Sequence, residues 1–133
     1  MILKFVRDQY PQARFQRIYD AAIDGWYPQD FHRCCDKKEW TLTVVETNQG
    51  FIFGGFTTAL WDSSASCNLK KCPHTFLFSV KDGTKHPLNV NDTNDAIECH
   101  WGYCARFGND ELVISPNSNN NNDSWIRAGR PCF

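Results

Sequence analysis

One stretch of the chain constrains its fold more than any other. In WTLTVVET, Trp40, Leu42 and Val44 alternate with Thr41, Thr43 and Val45, the period of two with which a strand buries one face. Thr47-Asn48-Gln49-Gly50 then supplies turn formers ahead of the aromatic run FIFGGF, so the spacing predicts a β-hairpin. Gly54-Gly55 interrupts the second strand. Two glycines there predict a bulge or a close backbone approach.

The same grammar continues downstream. TFLFSV puts Phe76, Phe78 and Val80 on one face and Leu77 on the other, and it runs into Lys81-Asp82-Gly83-Thr84, a second hairpin signal. HPLNV, AIECH and ELVIS supply further short strands, with Pro87 restricting the first to an edge or an irregular start. Phe53, Phe76 and Phe78 are expected in the core. Ahead of Trp40 the pattern changes. Residues 14–20 (RFQRIYD) are read as a strand, and a short helix is predicted over residues 28–35, where Pro28 suits the first helical position and Phe31 stands three and four residues from Cys34 and Cys35. The N-terminal ten residues leave room for another small helix. PNSNNNNDS, residues 116–124, reads as an exposed Asn-rich loop. The fold class is therefore α+β and β-dominated, in one domain over residues 1–133 with residues 1–13 as an N-terminal lead-in.

Composition narrows the function classes. Fourteen Lys and Arg stand against fifteen Asp and Glu, scattered, with no basic stripe of the kind nucleic-acid binding requires. The short basic pair Lys70-Lys71 reads as a solvated loop. Lys4, Arg7 and Asp8 break up the N-terminus before a signal-peptide core can form, and no run of about 18 apolar residues is present to enter a bilayer. Seven cysteines, an odd number, fit a disulfide framework poorly. The expectation is a soluble cytoplasmic chain with reduced thiols, in which the sequons at Asn91 and Asn122 are chance matches.

The order of short motifs carries a resemblance. DGWYPQDFHRCCDKKEWTLTVVETNQGFIFGGFT, then Trp61-Asp62-Ser63-Ser64, Thr75-Phe76-Leu77-Phe78-Ser79, Ala96-Ile97-Glu98-Cys99-His100, Phe107-Gly108 and the Asn-rich stretch follow one another as in TLDc domains, which the chain resembles over about residues 14–130. The resemblance implies a two-sheet antiparallel β-sandwich with short flanking helices. It also implies a protein partner, with subunits of the vacuolar proton pump as the candidates, a link to oxidative-stress protection, and no catalysis. Asp24, Gly25, Trp26, His32, Gly54, Gly55 and Trp61 are the candidate binding residues. For the glycines and Asp24, turn geometry is the plainer role; for Trp26 and Trp61, core burial is. TLDc relatives continue to a terminal strand, so the ending Arg130-Pro131-Cys132-Phe133 implies that this strand is missing.

Two rival readings rest on the cysteines. Cys67, Cys72 and His74 with Cys99, His100 and Cys104 are enough soft ligands for a tetrahedral zinc site. Four residues separate each cysteine pair where a zinc ribbon has two, so no cofactor and no metal are expected. Catalysis would need a thiolate and a base. His32 with Cys34 or Cys35 is the only tight grouping outside that set, and helical spacing does not turn residue 32 toward residue 34. A sensor or sacrificial thiol is the remaining redox reading.

Overall fold

A computed structural model of the chain describes residues 2–63, 68–88, 95–108 and 110–126. Three short helices come first: α1 (Leu3–Arg7), α2 (Ala21–Asp24) and α3 (Pro28–Cys35). The strands follow as β1 (Thr41–Glu46), β2 (Ile52–Thr57), β3 (Asn68–Lys70), β4 (Phe76–Ser79), β5 (Thr84–Pro87), β6 (Ile97–Cys99), β7 (Arg106–Phe107), β8 (Leu112–Val113) and β9 (Trp125–Ile126). They form two antiparallel sheets, ordered β1-β2-β4-β5 and β3-β6-β7-β8-β9.

The sheets face one another across an apolar core. Leu77 and Phe53 from the first sheet meet Ile97, Cys99, Phe107 and Leu112 from the second, and Phe31 and Cys35 of α3 with Trp61 close the open end. The outer face of the first sheet is covered too. Phe5 and Val6 of α1 pack on Phe56, Phe76 and Phe78, with the Phe5 ring stacked 5.3 Å from that of Phe78. The N-terminal lead-in is thus a third layer. Its removal would return three aromatic rings to water, at about 25 cal/mol for each Å2 of apolar surface uncovered.

Both predicted hairpins form, with Glu46 opposite Ile52 and Ser79 opposite Thr84. Pro87 lies on an edge strand, at the end of β5. Gly54 and Gly55 keep the ladder register without interruption, which leaves close approach as their role. A β-carbon on Gly55 would lie 2.7–2.9 Å from three carbons of the Phe107 ring. The missing side chain is what lets Phe107, fully buried, cross to the backbone of the opposite sheet.

Several expectations are corrected. Residues 14–20 form neither strand nor helix and are largely exposed; Asp20 instead caps α2, accepting a bond from the Ala22 amide at 3.1 Å, and no neighbouring strand offers the segment a ladder. β4 buries Phe76, Leu77 and Phe78 alike, because α1 lies on one face and the second sheet on the other. Phe53 is half-buried, while Trp40 and Val44 are exposed, since α1 reaches only Leu42 on that side of β1. Lys70 ends β3 and pairs with Asp62 at 2.5 Å. The expectations about Ser64, Cys67, the sequon at Asn91 and the terminal strand fall on residues 64–67, 89–94 and 127–133, outside the described residues.

Candidate functional site

A groove of about 760 Å3 runs along α3, lined by Pro28, Gln29, His32, Arg33, Asp36, Ser63, Trp101, Gly102 and Pro116. Its floor follows from how α3 is built. Pro28 occupies the first turn, and the Asp30 carboxylate reaches back to the Tyr27 amide at 3.2 Å, which satisfies a donor that the helix start leaves open. Positions 28, 31, 32 and 35 then face inward, the i, i+3, i+4, i+7 stripe of a half-buried helix.

His32 falls on that stripe and is polar, so it needs partners. Its Nδ1 lies 2.7 Å from Asp36 Oδ1, one helical turn on, and its Nε2 lies 3.0 Å from the carbonyl oxygens of both His100 and Tyr103. The Ser63 hydroxyl donates to the other oxygen of Asp36. All of these partners can accept, so the ring acts as a brace between the end of α3 and the loop at residues 100–103. On that loop the His100 ring stacks against Trp101 and accepts the Gly102 amide at 3.0 Å. Trp101 remains 61% exposed at the rim.

The sequence candidates do not converge on this groove. His32 alone lines it. Asp24, Gly25 and Trp26 form the turn between α2 and α3: the Asp24 carboxylate accepts from the Asp20 amide at 2.8 Å, Gly25 receives the Tyr19 hydroxyl on its carbonyl at 2.7 Å, and the Trp26 carbonyl holds the Asn117 amide at 2.8 Å. Gly25 has φ +118°, and a β-carbon there would sit 2.1 Å from the Asp30 carboxylate, so the turn requires glycine. Gly54, Gly55 and Trp61 are buried. Trp61 packs edge-on against Phe31 and Phe107 and donates its indole N–H to Thr41 at 2.8 Å. Sequence reasoning missed Asp36, Ser63 and Trp101 as site residues. The His32–Asp36 spacing of one helical turn was the available signal for the first; nothing marked Trp101.

The described thiols fall in two places. Cys72 packs with Leu88 and Ala96, whereas Cys35, Cys99 and Cys104 lie in the core between the sheets, and His100 is committed to Trp101 and Gly102. Among the described residues no three His, Cys, Asp or Glu side chains gather as a metal would need, and Cys67 lies outside them. Burial, with smaller contributions from nearby acidic groups and thiols, pushes the Cys35 thiol up to about 12; burial, then Asp30, pushes Cys104 up to about 12. Burial also raises Cys99. At Cys72 burial acts upward, but hydrogen bonds from Thr58, Thr75 and Thr57 outweigh it and lower the thiol.

These shifts set a pH window. In the unfolded chain Cys35 and Cys104 ionise near the ordinary value of 9.0, and in the fold near 12. Above pH 9.0 the unfolded state therefore sheds protons that the native state keeps, and stability falls as pH rises toward 12. Urea midpoints at pH 8 and about pH 10.5 should separate for the native sequence, and should separate less in a Cys35→Ala, Cys104→Ala variant. Equal losses in both proteins would dismiss the two thiols as the cause.

The family model for the TLDc domain matches residues 1–128. The chain belongs to the TLDc domain family. No curated protein and no solved structure matches it. Within this TLDc domain, the family motif around residues 24–36 builds one wall of the groove, and residues 100–103 build the facing rim.

Proposed function

We propose that this TLDc domain is a non-catalytic binding module that works in the cytosol, engaging a protein partner through the groove along α3. The exposed Trp101 on a braced loop carries the reading. A large aromatic held out from a wall fixed by His32, Asp36 and Ser63 has the form of an interface anchor, because its ordering is complete before the partner arrives. Family membership makes subunits of the vacuolar proton pump the first candidates for that partner, and a role in oxidative-stress protection would act through it. Thiols pushed up to about 12 at Cys35 and Cys104 also support binding over turnover, since thiolate is the nucleophile.

The test is retention of purified pump subunits on the immobilised domain. Trp101→Ala should weaken retention about 30-fold, the consequence of losing an anchor worth about 2 kcal/mol, while the melting temperature stays put. Undiminished retention would remove the groove from the interface, and catalytic destruction of peroxide by the purified domain would overturn the non-catalytic reading.

A second reading, a sacrificial thiol, is favoured among the described thiols by Cys72, whose threonine donors stabilise the thiolate. A peroxide oxygen would pass to its sulfur to give a sulfenic acid, with the second oxygen leaving as hydroxide. Peptide mass mapping after peroxide treatment should then find the added oxygen on Cys72 ahead of Cys35 and Cys104; equal labelling would end this reading.

A further inference from the structure

The β1 edge of the first sheet is the longest open sheet edge among the described residues. β1 is six residues long and, among the described residues, pairs only with β2. Thr47 donates its amide to the Phe51 carbonyl, whereas Ile52 accepts the Val80 amide from the other side. Since bonding alternates along an antiparallel pair, Thr41, Thr43 and Val45 exchange bonds with β2, and the backbone groups of Leu42, Val44 and Glu46 point away from the sheet. No hydrogen bond among the described residues meets them. On the same face as these residues, Trp40 and Val44 leave their side chains about half exposed.

The remaining edges are blunted. β5 carries Lys85, bonded to the Phe5 carbonyl, and ends on Pro87; β3 has three residues with Lys70 at its end, and β9 has two. β1 has no proline, no lysine and no break in register, the features with which sheets defend an edge.

We infer that β1 pairs antiparallel with β1 of a second copy of this chain about a two-fold axis at Val44, joining two four-stranded sheets into one. The strand's own sequence argues for this occupant. With Val44 opposite Val44, Leu42 faces Glu46 and Thr43 faces Val45 in both directions, and Thr41 faces Thr47. The outward backbone groups meet in phase. Glu46, the only charge on β1, meets Leu42 and never its own copy, and Val44–Val44, Thr43–Val45 and Thr41–Thr47 are β-branched pairs that favour strand pairing. The two-fold makes the contact self-limiting. This dimer does not rest on partner binding through the α3 groove, which lies on other residues and is read by pump-subunit retention.

Sedimentation velocity of the full chain over a concentration series, from low to high micromolar, tests the inference. The native sequence should pass from monomer to dimer and no further. Val44→Lys, which sets two ammonium groups against each other at the axis, should weaken dimerisation tenfold or more. Val44→Pro removes an outward amide that β2 does not use, and it should do the same with the circular dichroism spectrum retained. A native chain that stays monomeric throughout overturns the inference, as does association that both variants leave unchanged. A monomer whose edge instead captures a partner's strand, blocked by Val44→Pro, also overturns it.

Discussion

Replacing Trp61 with alanine should lower the stability of the domain by about 3 to 5 kcal/mol. The side chain is 1% exposed, so the substitution leaves a cavity between Phe31 and Phe107 and removes the edge-on contact that each ring makes with the indole. The Thr41 hydroxyl also loses its indole donor. Damage should spread along the chain as well, because the Trp61 backbone exchanges bonds with Lys37 and Lys38 at 2.9 and 3.0 Å and so holds α3 to the start of β1. A small domain has roughly 5 to 15 kcal/mol in total, so this one change should remove a large share of the stability and lower the urea midpoint by about 1 M or more. Trp61→Phe, which keeps an aromatic in the gap, should recover much of the loss. A midpoint within error of the native value for Trp61→Ala would show that the core does not close on this residue.

Gly55→Val should also be damaging, by overpacking. Even a single β-carbon at residue 55 would stand 2.7–2.9 Å from the Phe107 ring, and valine adds two methyl groups, so the sheets must part or Phe107 must leave its rotamer, at a cost of about 1 to 3 kcal/mol or more. The two sites touch, so their effects should not add. Phe107→Ala alone should cost about 3 to 5 kcal/mol through its cavity. In the Gly55→Val, Phe107→Ala double variant the valine should occupy part of that cavity, leaving the loss well below the sum of the singles. Strict additivity in urea titration would rule out the ring-on-glycine contact as the feature that sets the spacing between the sheets.

Much of the architecture is legible in the sequence, for local physical reasons. The turn residues at 47–50 and 81–84 and the run of apolar residues on either side of each determine hairpins locally, and Pro28 with the Phe31 stripe determines α3 within a single helix. The chain of motifs from Asp24 to the Asn-rich stretch placed it among TLDc domains. Residues 14–20 misled because weak alternation is all that a solvent-facing extended segment needs to share with a strand. The groove was legible only at His32. Candidates such as Gly54, Gly55 and Trp61 carry sequence signals because the core demands glycine or an aromatic there, and the same demand keeps them away from the surface.

The sequence by itself determined that this chain forms paired strands with short helices ahead of them, since alternation, turn chemistry and helix spacing act between near neighbours. Only the tertiary structure decided which faces those strands bury. α1 covers one face of the first sheet through Phe5 on Phe78, and Phe107 crosses to Gly55 on the other face, contacts 73 and 52 positions apart that no local pattern encodes. It also decided the site. Asp36, Ser63 and the carbonyls of His100 and Tyr103 meet on His32 because two sheets and a helix close around a common core, and a buried imidazole there must find its partners wherever the fold brings them.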